Sequence, residues 1–232
     1  MRWLLRSLPL LLLTLPASAA VAAATNVAAR QGTPTPPLST VGIVTPSPPK
    51  PNYLDGPQMR TSHRWRRFPV RVYFAPDDAY SPERGRTVQA GFDEWTRATG
   101  GVLSYVIVDS AADADVRVHL LSVPHLADSP TTVGLTHTSS RGPWLDLARM
   151  DLAADASVTP ELLTEVAAHE WGHALGINGH SDDPSDLMYG VTVRVIHQGA
   201  VSVEPPSHPR TPSLRDRNTV RKLYADRFAT AH

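Results

Sequence analysis

The chain has 232 residues, which is enough for one sizeable domain with extensions. Its 22 basic and 22 acidic residues leave no net charge, and this argues against a nucleic-acid partner, which would require a basic face. The chain contains no cysteine, so disulfide bonds, lipid attachment at a cysteine and latency through a thiolate are all excluded.

The first 19 residues have the order of a secretory signal peptide. Arg2 and Arg6 flank a leucine-rich run that ends at Leu15, and small residues follow at positions 17–19. The apolar run of about a dozen residues is shorter than the ~20 needed to span a bilayer, although an uncleaved membrane anchor is the alternative. We therefore predict a signal peptide at residues 1–19, cleaved after Ala19 or a nearby alanine, and a secreted protein with no further membrane contact. Without Arg2 and Arg6, 20 basic residues remain against 22 acidic ones, a net charge of −2.

Residues 20–62 are rich in alanine, threonine and proline and have no apolar periodicity. This composition predicts an extended linker or a short pro-segment that contributes nothing to a core. We place the folded domain at residues 63–229.

The first half of this domain is predicted to contain one helix and three strands. Residues 69–74 alternate between apolar and polar as a half-buried strand does. Ser-Pro-Glu at 81–83 starts a helix with an N-cap and a proline at the first position, and glycines at 100 and 101 end it. Apolar runs predict the other two strands, at 102–108 and 115–120.

The second half is predicted to contain two more strands and two helices. A polar loop at 121–132 is followed by a short edge strand at 133–137 and another strand at 145–152. Thr-Pro-Glu at 159–161 starts the next helix, by the same cap and proline signal. Residues 198–212 are predicted as loop, and residues 213–224 as a closing helix capped by Ser213.

The most specific stretch of the chain follows the start of the second helix and has the pattern His-Glu-x-x-His-x-x-Gly-x-x-His. His169 and His173 are four residues apart, so on a helix both can bind one zinc ion. On a continued helix His180 would lie roughly 10 Å along the axis from His173, but Gly176 allows the chain to turn back. Three neutral imidazoles leave one position for water, whose proton Glu170 can accept. The alternative is ordinary histidines on a solvated helix face.

This pattern resembles the extended zinc motif of the metzincin metallopeptidases, and Ser181 after the third histidine resembles the matrixin branch. Asp186–Tyr189 is similar to the Met-turn of that family, in which Met188 would lie beneath the metal; the alternative is a gap-filling core methionine. The resemblance covers roughly residues 65–227, and Gly190 departs from the proline that many matrixins have there. It implies an α+β fold with a twisted, mostly parallel sheet, an antiparallel edge strand, an active-site helix and a C-terminal helix.

The resemblance also implies a function, that of a secreted zinc endopeptidase acting on extended polypeptides as a monomer. Glu170 would be the general base beside a zinc ion held by the three histidines. The edge strand, with Leu135 and Thr136, would pair with the substrate backbone. Asp55 is predicted as a turn residue, with a metal-capping role in a latent form as the alternative.

Domains of this family often carry a structural calcium or a second zinc, and the chain offers candidate ligands for one. They are His119, His125, His137, Asp113, Asp115 and Asp128. Their spacing is not diagnostic, so surface or loop side chains are the default interpretation.

Two other functions are open from the sequence. A secreted module that binds zinc without hydrolysis would keep the three histidines but would have no need of Glu170. A zinc hydrolase acting on cell-wall peptides would use similar chemistry, and the Met-turn favours the peptidase.

Overall fold

The computed structural model describes residues 52–122, 132–155, 158–190, 194–197, 200–203 and 211–230. The predicted signal peptide, most of the predicted linker, His125 and Asp128 lie outside these ranges. No helix within the ranges is long and apolar enough to cross a membrane.

A five-stranded sheet forms the frame of the domain. Its strands are β1 Val70–Phe74, β2 Tyr105–Ile107, β3 Val116–Leu121, β4 Gly134–Arg141 and β5 Trp144–Ala153. They are arranged in the order β2-β1-β3-β5-β4, with every pair parallel except β4 and β5. This arrangement confirms the predicted α+β fold, with its mostly parallel sheet and antiparallel edge strand.

One strand is longer than predicted, and one pair of strands was not predicted. The edge strand β4 has eight residues and continues past the predicted end at 137, with a register shift between Ser139 and Ser140. A separate antiparallel pair is formed by β6 Arg194–His197 and β7 Ala200–Val203. The predicted loop at 198–212 is therefore wrong for residues 200–203, which take a strand conformation because their backbone pairs with β6.

Two helices begin where the sequence predicted. In α1, Pro82–Ala98, the Ser81 hydroxyl accepts the backbone N–H of Arg84 at 3.2 Å. In α2, Pro160–Ala174, the Thr159 hydroxyl accepts the backbone N–H of Leu162 at 3.3 Å. Both caps satisfy a backbone donor that the first helical turn leaves free.

Aromatic side chains fix the position of α2 on α1. The indole of Trp95 donates to the carbonyl of Ala168 at 2.8 Å, and the ring of Phe92 stacks on Trp171 with centroids 4.2 Å apart. These side chains are buried, and they anchor α2 on both sides of His169. The motif therefore starts on a helix whose direction is set by the core.

The chain closes with α3, Leu214–Leu223, followed by the short helix α4, Ala225–Thr230, which the sequence did not predict. Tyr224 lies between them and is fully buried. Its hydroxyl donates to the carbonyl of Leu175 at 2.8 Å and accepts the backbone N–H of Trp65 at 3.1 Å. The C-terminal helices are thus fastened beneath the end of α2.

The packed domain begins earlier than predicted. Tyr53 is 3% exposed and its hydroxyl donates to the carboxylate of Asp216 at 2.5 Å, while Met59 pairs with Gly179 in an isolated antiparallel bridge. The prediction that residues 20–62 contribute nothing to the core is therefore wrong for this part of the segment. Its contacts lie more than a hundred residues away in sequence, so no local periodicity signals them. Asp55 lies in an exposed turn and is paired with Lys222.

The bond between Tyr53 and Asp216 gives a test of this corrected boundary. Burial, and next the negative charge of Asp216, raise the pKa of the Tyr53 phenol, which therefore stays neutral and donates. We expect Tyr53→Phe to lower the free energy of unfolding by about 1–3 kcal/mol, because the buried carboxylate loses a donor.

The measurement is denaturant unfolding of the zinc-loaded protein. Tyr80→Phe is the matched control, because Tyr80 is 38% exposed and its hydroxyl bonds to no described residue. We expect the control to stay within about 0.5 kcal/mol of wild type. A Tyr53→Phe protein as stable as the control would show that the segment is not part of the fold.

Candidate active site

The helix α2 carries two histidines of the motif, and a glycine turn delivers the third. The helix ends at Ala174, and Gly176 has a φ of +100°, a conformation that glycine adopts without strain. A side chain at Gly176 would also overlap the carbonyl of His63, which crosses the turn closely. The chain reverses there and brings His180 back to the helix, as the spacing of the motif predicted.

The three imidazoles meet around one point. The ring centroids of His169, His173 and His180 lie 4.9, 5.3 and 5.0 Å apart, and their ligand atoms are within 4.8 Å of one another. In the part of the chain that the structure describes, they form the one cluster of three or more groups suited to a metal.

Backbone carbonyls fix the tautomer of two of these rings. The Nδ1 atom of His169 lies 2.8 Å from the carbonyl oxygen of Leu187, and Nδ1 of His173 lies 2.7 Å from that of Ile177. A carbonyl oxygen can only accept, so each Nδ1 carries the proton. This leaves Nε2 as the nitrogen of each ring that can bind a metal, and a ring fixed through Nδ1 in this way is typical of metal-bound histidine.

Burial favours the neutral form of two of the three histidines. It lowers the pKa of His173, and burial followed by the neighbouring His173 lowers the pKa of His180 to about 4. A metal displaces protons from its ligands, so groups that are already neutral near pH 7 favour binding. Three neutral nitrogen donors with a position left over fit a catalytic zinc ion.

Met188 lies against the helix that carries the first two histidines. It is fully buried, and a Cβ at Gly172 would overlap its sulfur atom. Gly172 precedes His173 directly, so the methionine lies under the metal-facing turn of α2. The supporting role beneath a metal that the resemblance implies for Met188 stays a prediction.

The buried carboxylate of Asp216, whose role the sequence did not predict, holds the backbone of residues 187 and 188. Asp216 on α3 accepts the backbone N–H of Leu187 at 2.8 Å and lies 3.4 Å from that of Met188. The same side chain completes the capping box with Ser213. A Ser-x-x-Asp pattern at 213–216 could have signalled the cap, but not the second role.

The Ser181 side of the Met-turn has its own polar contacts. The backbone N–H of Ser181 donates to the carbonyl of Met188 at 2.8 Å, and its hydroxyl bonds to the buried Asp186. Arg215 reaches Asp186 at 3.1 Å and Asp182 at 2.8 Å. The chain from His180 to Tyr189 is therefore a hydrogen-bonded loop that fixes His180 relative to α2.

Glu170 is buried beside the histidines, and the edge strand β4 holds it. The hydroxyl of Thr136 donates to Oε2 of Glu170 at 2.7 Å. A Cβ at Gly134 would lie 2.7 Å from Oε1, so the backbone of β4 comes close to the carboxylate. Burial raises the pKa of Glu170 to about 7, and the bond from Thr136, and then the charge of His137, oppose this rise. Such a carboxylate is suited to exchange protons near neutral pH.

An open cleft of about 450 Å³ runs along β4 beside the histidines. It is lined by Glu170, His173 and His180, and also by Leu135 and Thr136, the two residues expected on the substrate strand. Because β4 is the last strand of the sheet, one of its edges is left unpaired within the sheet. A polypeptide could add to that edge as a further strand.

The four candidate ligands for a second metal that the structure describes are not brought together. His119 pairs with Asp77 at 2.9 Å, and Asp115 is held by Arg71 at 2.8 Å. His137 is exposed on β4, and Asp113 ends a short 3₁₀ turn. Among the described residues these side chains therefore form no metal cluster; His125 and Asp128 lie outside them.

A helical histidine pair, a third histidine after a glycine turn and an adjacent buried carboxylate define the class of zinc metallopeptidases. The matrixin family model matches residues 67–225, which is more than half of the chain, so the chain belongs to the matrixins. As a member it is a zinc metalloendopeptidase, a hydrolase that acts on peptide bonds. No curated protein matches the chain.

Proposed function

We propose that this matrixin is a secreted endopeptidase that cleaves extended polypeptides, with Glu170 as general base and His169, His173 and His180 as the zinc ligands. The observation that carries the proposal is the buried Glu170 carboxylate, held by Thr136 at 2.7 Å next to the histidine cluster. Export rests on the order of residues 1–19, in which two arginines, a leucine-rich run that ends at Leu15 and small residues at 17–19 occur.

Zinc bound by the three histidines supplies a Lewis acid that polarises the scissile carbonyl and makes a water molecule more acidic. Glu170 accepts a proton from the attacking water and donates it to the leaving amine nitrogen. Its Oε2 atom is occupied by the Thr136 hydroxyl, which leaves Oε1 to carry that proton. The surrounding burial removes competing solvent, and this keeps the proton affinity of the carboxylate high.

The substrate is proposed to lie along β4. The free edge of this strand presents backbone N–H and C=O groups, which bind an extended chain before any side chain is recognised. Leu135 and Thr136 lie in the part of β4 that lines the cleft. The scissile bond would then be positioned between the strand edge and the histidine cluster.

The central variant is Glu170→Gln, which removes the base but leaves all three histidines. We expect it to bind zinc nearly as wild type does and to lose at least about 10⁴-fold in peptide hydrolysis, because general-base assistance alone is worth 10²–10⁴-fold and this carboxylate also serves the leaving nitrogen. Zinc content and kcat/KM on a denatured protein substrate are the measurements.

Two controls separate chemistry from scaffolding. Glu161→Gln changes an exposed glutamate in the first turn of the same helix and should leave both readouts close to wild type. His173→Ala should lose both zinc and activity, since it removes a ligand. A zinc-loaded Glu170→Gln protein within about tenfold of wild-type activity would contradict the mechanism. A zinc-loaded wild type that cleaves nothing would favour the binding module.

The role of Thr136 is tested by an isosteric change. Thr136→Val keeps the shape of the side chain but removes the hydroxyl that orients Glu170. A hydrogen bond to a charged group is worth about 1.5–3 kcal/mol, so we expect kcat to fall about 10- to 100-fold with zinc content and KM within about twofold.

Thr136→Ser should keep most of the wild-type kcat because it retains the donor. Thr138→Val, an exposed position that also lines the cleft, is the matched control and should behave as wild type. Equal kcat values for Thr136→Val and Thr136→Ser would rule out the orienting role of the hydroxyl.

A further inference from the structure

An N-terminal segment at residues 59–61 runs alongside the loop that carries His180. The backbone N–H of Arg60 donates to the carbonyl of Asn178 at 2.7 Å, and the side-chain amide of Asn178 donates to the carbonyl of Thr61 at 2.8 Å. Met59 pairs with Gly179 in the same stretch. The backbone of Arg60 is therefore bonded to Asn178, which lies two residues before the proposed zinc ligand His180.

Arg60 is one of the residues that line the active-site cleft. It is exposed, and within the described ranges no carboxylate lies at ion-pairing distance from it and no hydrogen bond engages it. Other arginines nearby in sequence are engaged: Arg64 pairs with Asp226 at 3.1 Å, and Arg71 pairs with Asp115 at 2.8 Å. Arg60 thus presents an unneutralised charge to whatever enters the cleft.

The described lining of the cleft offers this charge no internal partner. Its one carboxylate is that of Glu170, which is buried and already bonded to Thr136. His63 lines the cleft on the same segment as Arg60 and adds a second group that can bind a carboxylate. The described lining therefore leaves the positive charge of Arg60 available to a negatively charged group of a bound peptide.

We propose that Arg60 forms a subsite for an acidic side chain, so that the preferred substrates carry Asp or Glu near the scissile bond. The inference rests on the proposed endopeptidase function and narrows its substrate class. A guanidinium offers several donors in a planar fork that matches a carboxylate. Because the Arg60 backbone is hydrogen-bonded beside the His180 loop, the guanidinium can reach only a limited part of the cleft, and we expect the acidic residue to be selected at one position of the substrate.

The test uses the zinc-loaded protein and peptides in which each position around the scissile bond carries Glu, Gln or Lys in turn. At one position we expect wild type to cleave the Glu peptide about twofold to fivefold faster, in kcat/KM, than the Gln peptide. This is the range for a partly exposed charge pair, and it should shrink in about 0.5 M salt. Arg60→Gln should abolish the preference, and Arg60→Glu should transfer it to the Lys peptide.

Arg86→Gln is the control, since Arg86 is exposed on α1 and away from the cleft lining. It makes the same change of charge and should leave the preference intact. A wild type that cleaves Glu and Gln peptides equally at every position overturns the proposal, as does a preference that survives in Arg60→Gln.

A separate binding measurement distinguishes this failure from failure of the proposed function. Calorimetry with zinc-loaded Glu170→Gln protein, with and without Arg60→Gln, compares the affinities for the Glu and Gln peptides without turnover. Tighter binding of the Glu peptide that depends on Arg60 supports the subsite even if wild type cleaves nothing. A wild type that cleaves nothing would contradict only the peptidase proposal. Equal affinities, or no binding of either peptide, overturn the subsite.

Discussion

The site depends on two hydrogen bonds from imidazole rings to backbone carbonyls. Leu187 accepts from Nδ1 of His169 at 2.8 Å, and Ile177 accepts from Nδ1 of His173 at 2.7 Å. Each bond sets both the tautomer and the direction of a ring, so that Nε2 faces the shared point. Without them the rings would rotate about their side-chain bonds, and metal binding would have to order them at a cost in affinity.

The carbonyl of Leu187 is positioned by parts of the chain that lie far away in sequence. Asp216 holds the backbone of Leu187 and Met188 from below, and Tyr53 donates to the same carboxylate. Tyr224 holds the carbonyl of Leu175 at the end of α2. The N-terminal segment and the C-terminal helices therefore act together on the two sides of the histidine cluster, and this links the stability of the domain to the geometry of the site.

Local spacing was sufficient to predict the histidine helix, its Thr159 cap and the turn at Gly176, because each depends on residues within one or two helical turns. The mostly parallel sheet followed from alternating apolar runs together with the family resemblance. The roles of Tyr53 and Asp216 could not be predicted, since the two residues lie 163 positions apart. The same limit applies to Thr136, whose bond to Glu170 exists only once β4 has packed against α2. Residues 200–203 were missed although Val201 and Val203 alternate with Ser202, because four residues are too few to distinguish a strand from a loop without its partner β6.

The central claim is that His169, His173 and His180 together hold one zinc ion. X-ray absorption spectroscopy at the zinc edge of the zinc-loaded protein tests it most directly, because imidazole rings give a distinctive multiple-scattering signal. The account predicts three imidazole nitrogens and at least one oxygen at about 2.0–2.1 Å from the zinc. Two or fewer imidazoles in the coordination shell of a fully loaded, active protein would contradict it.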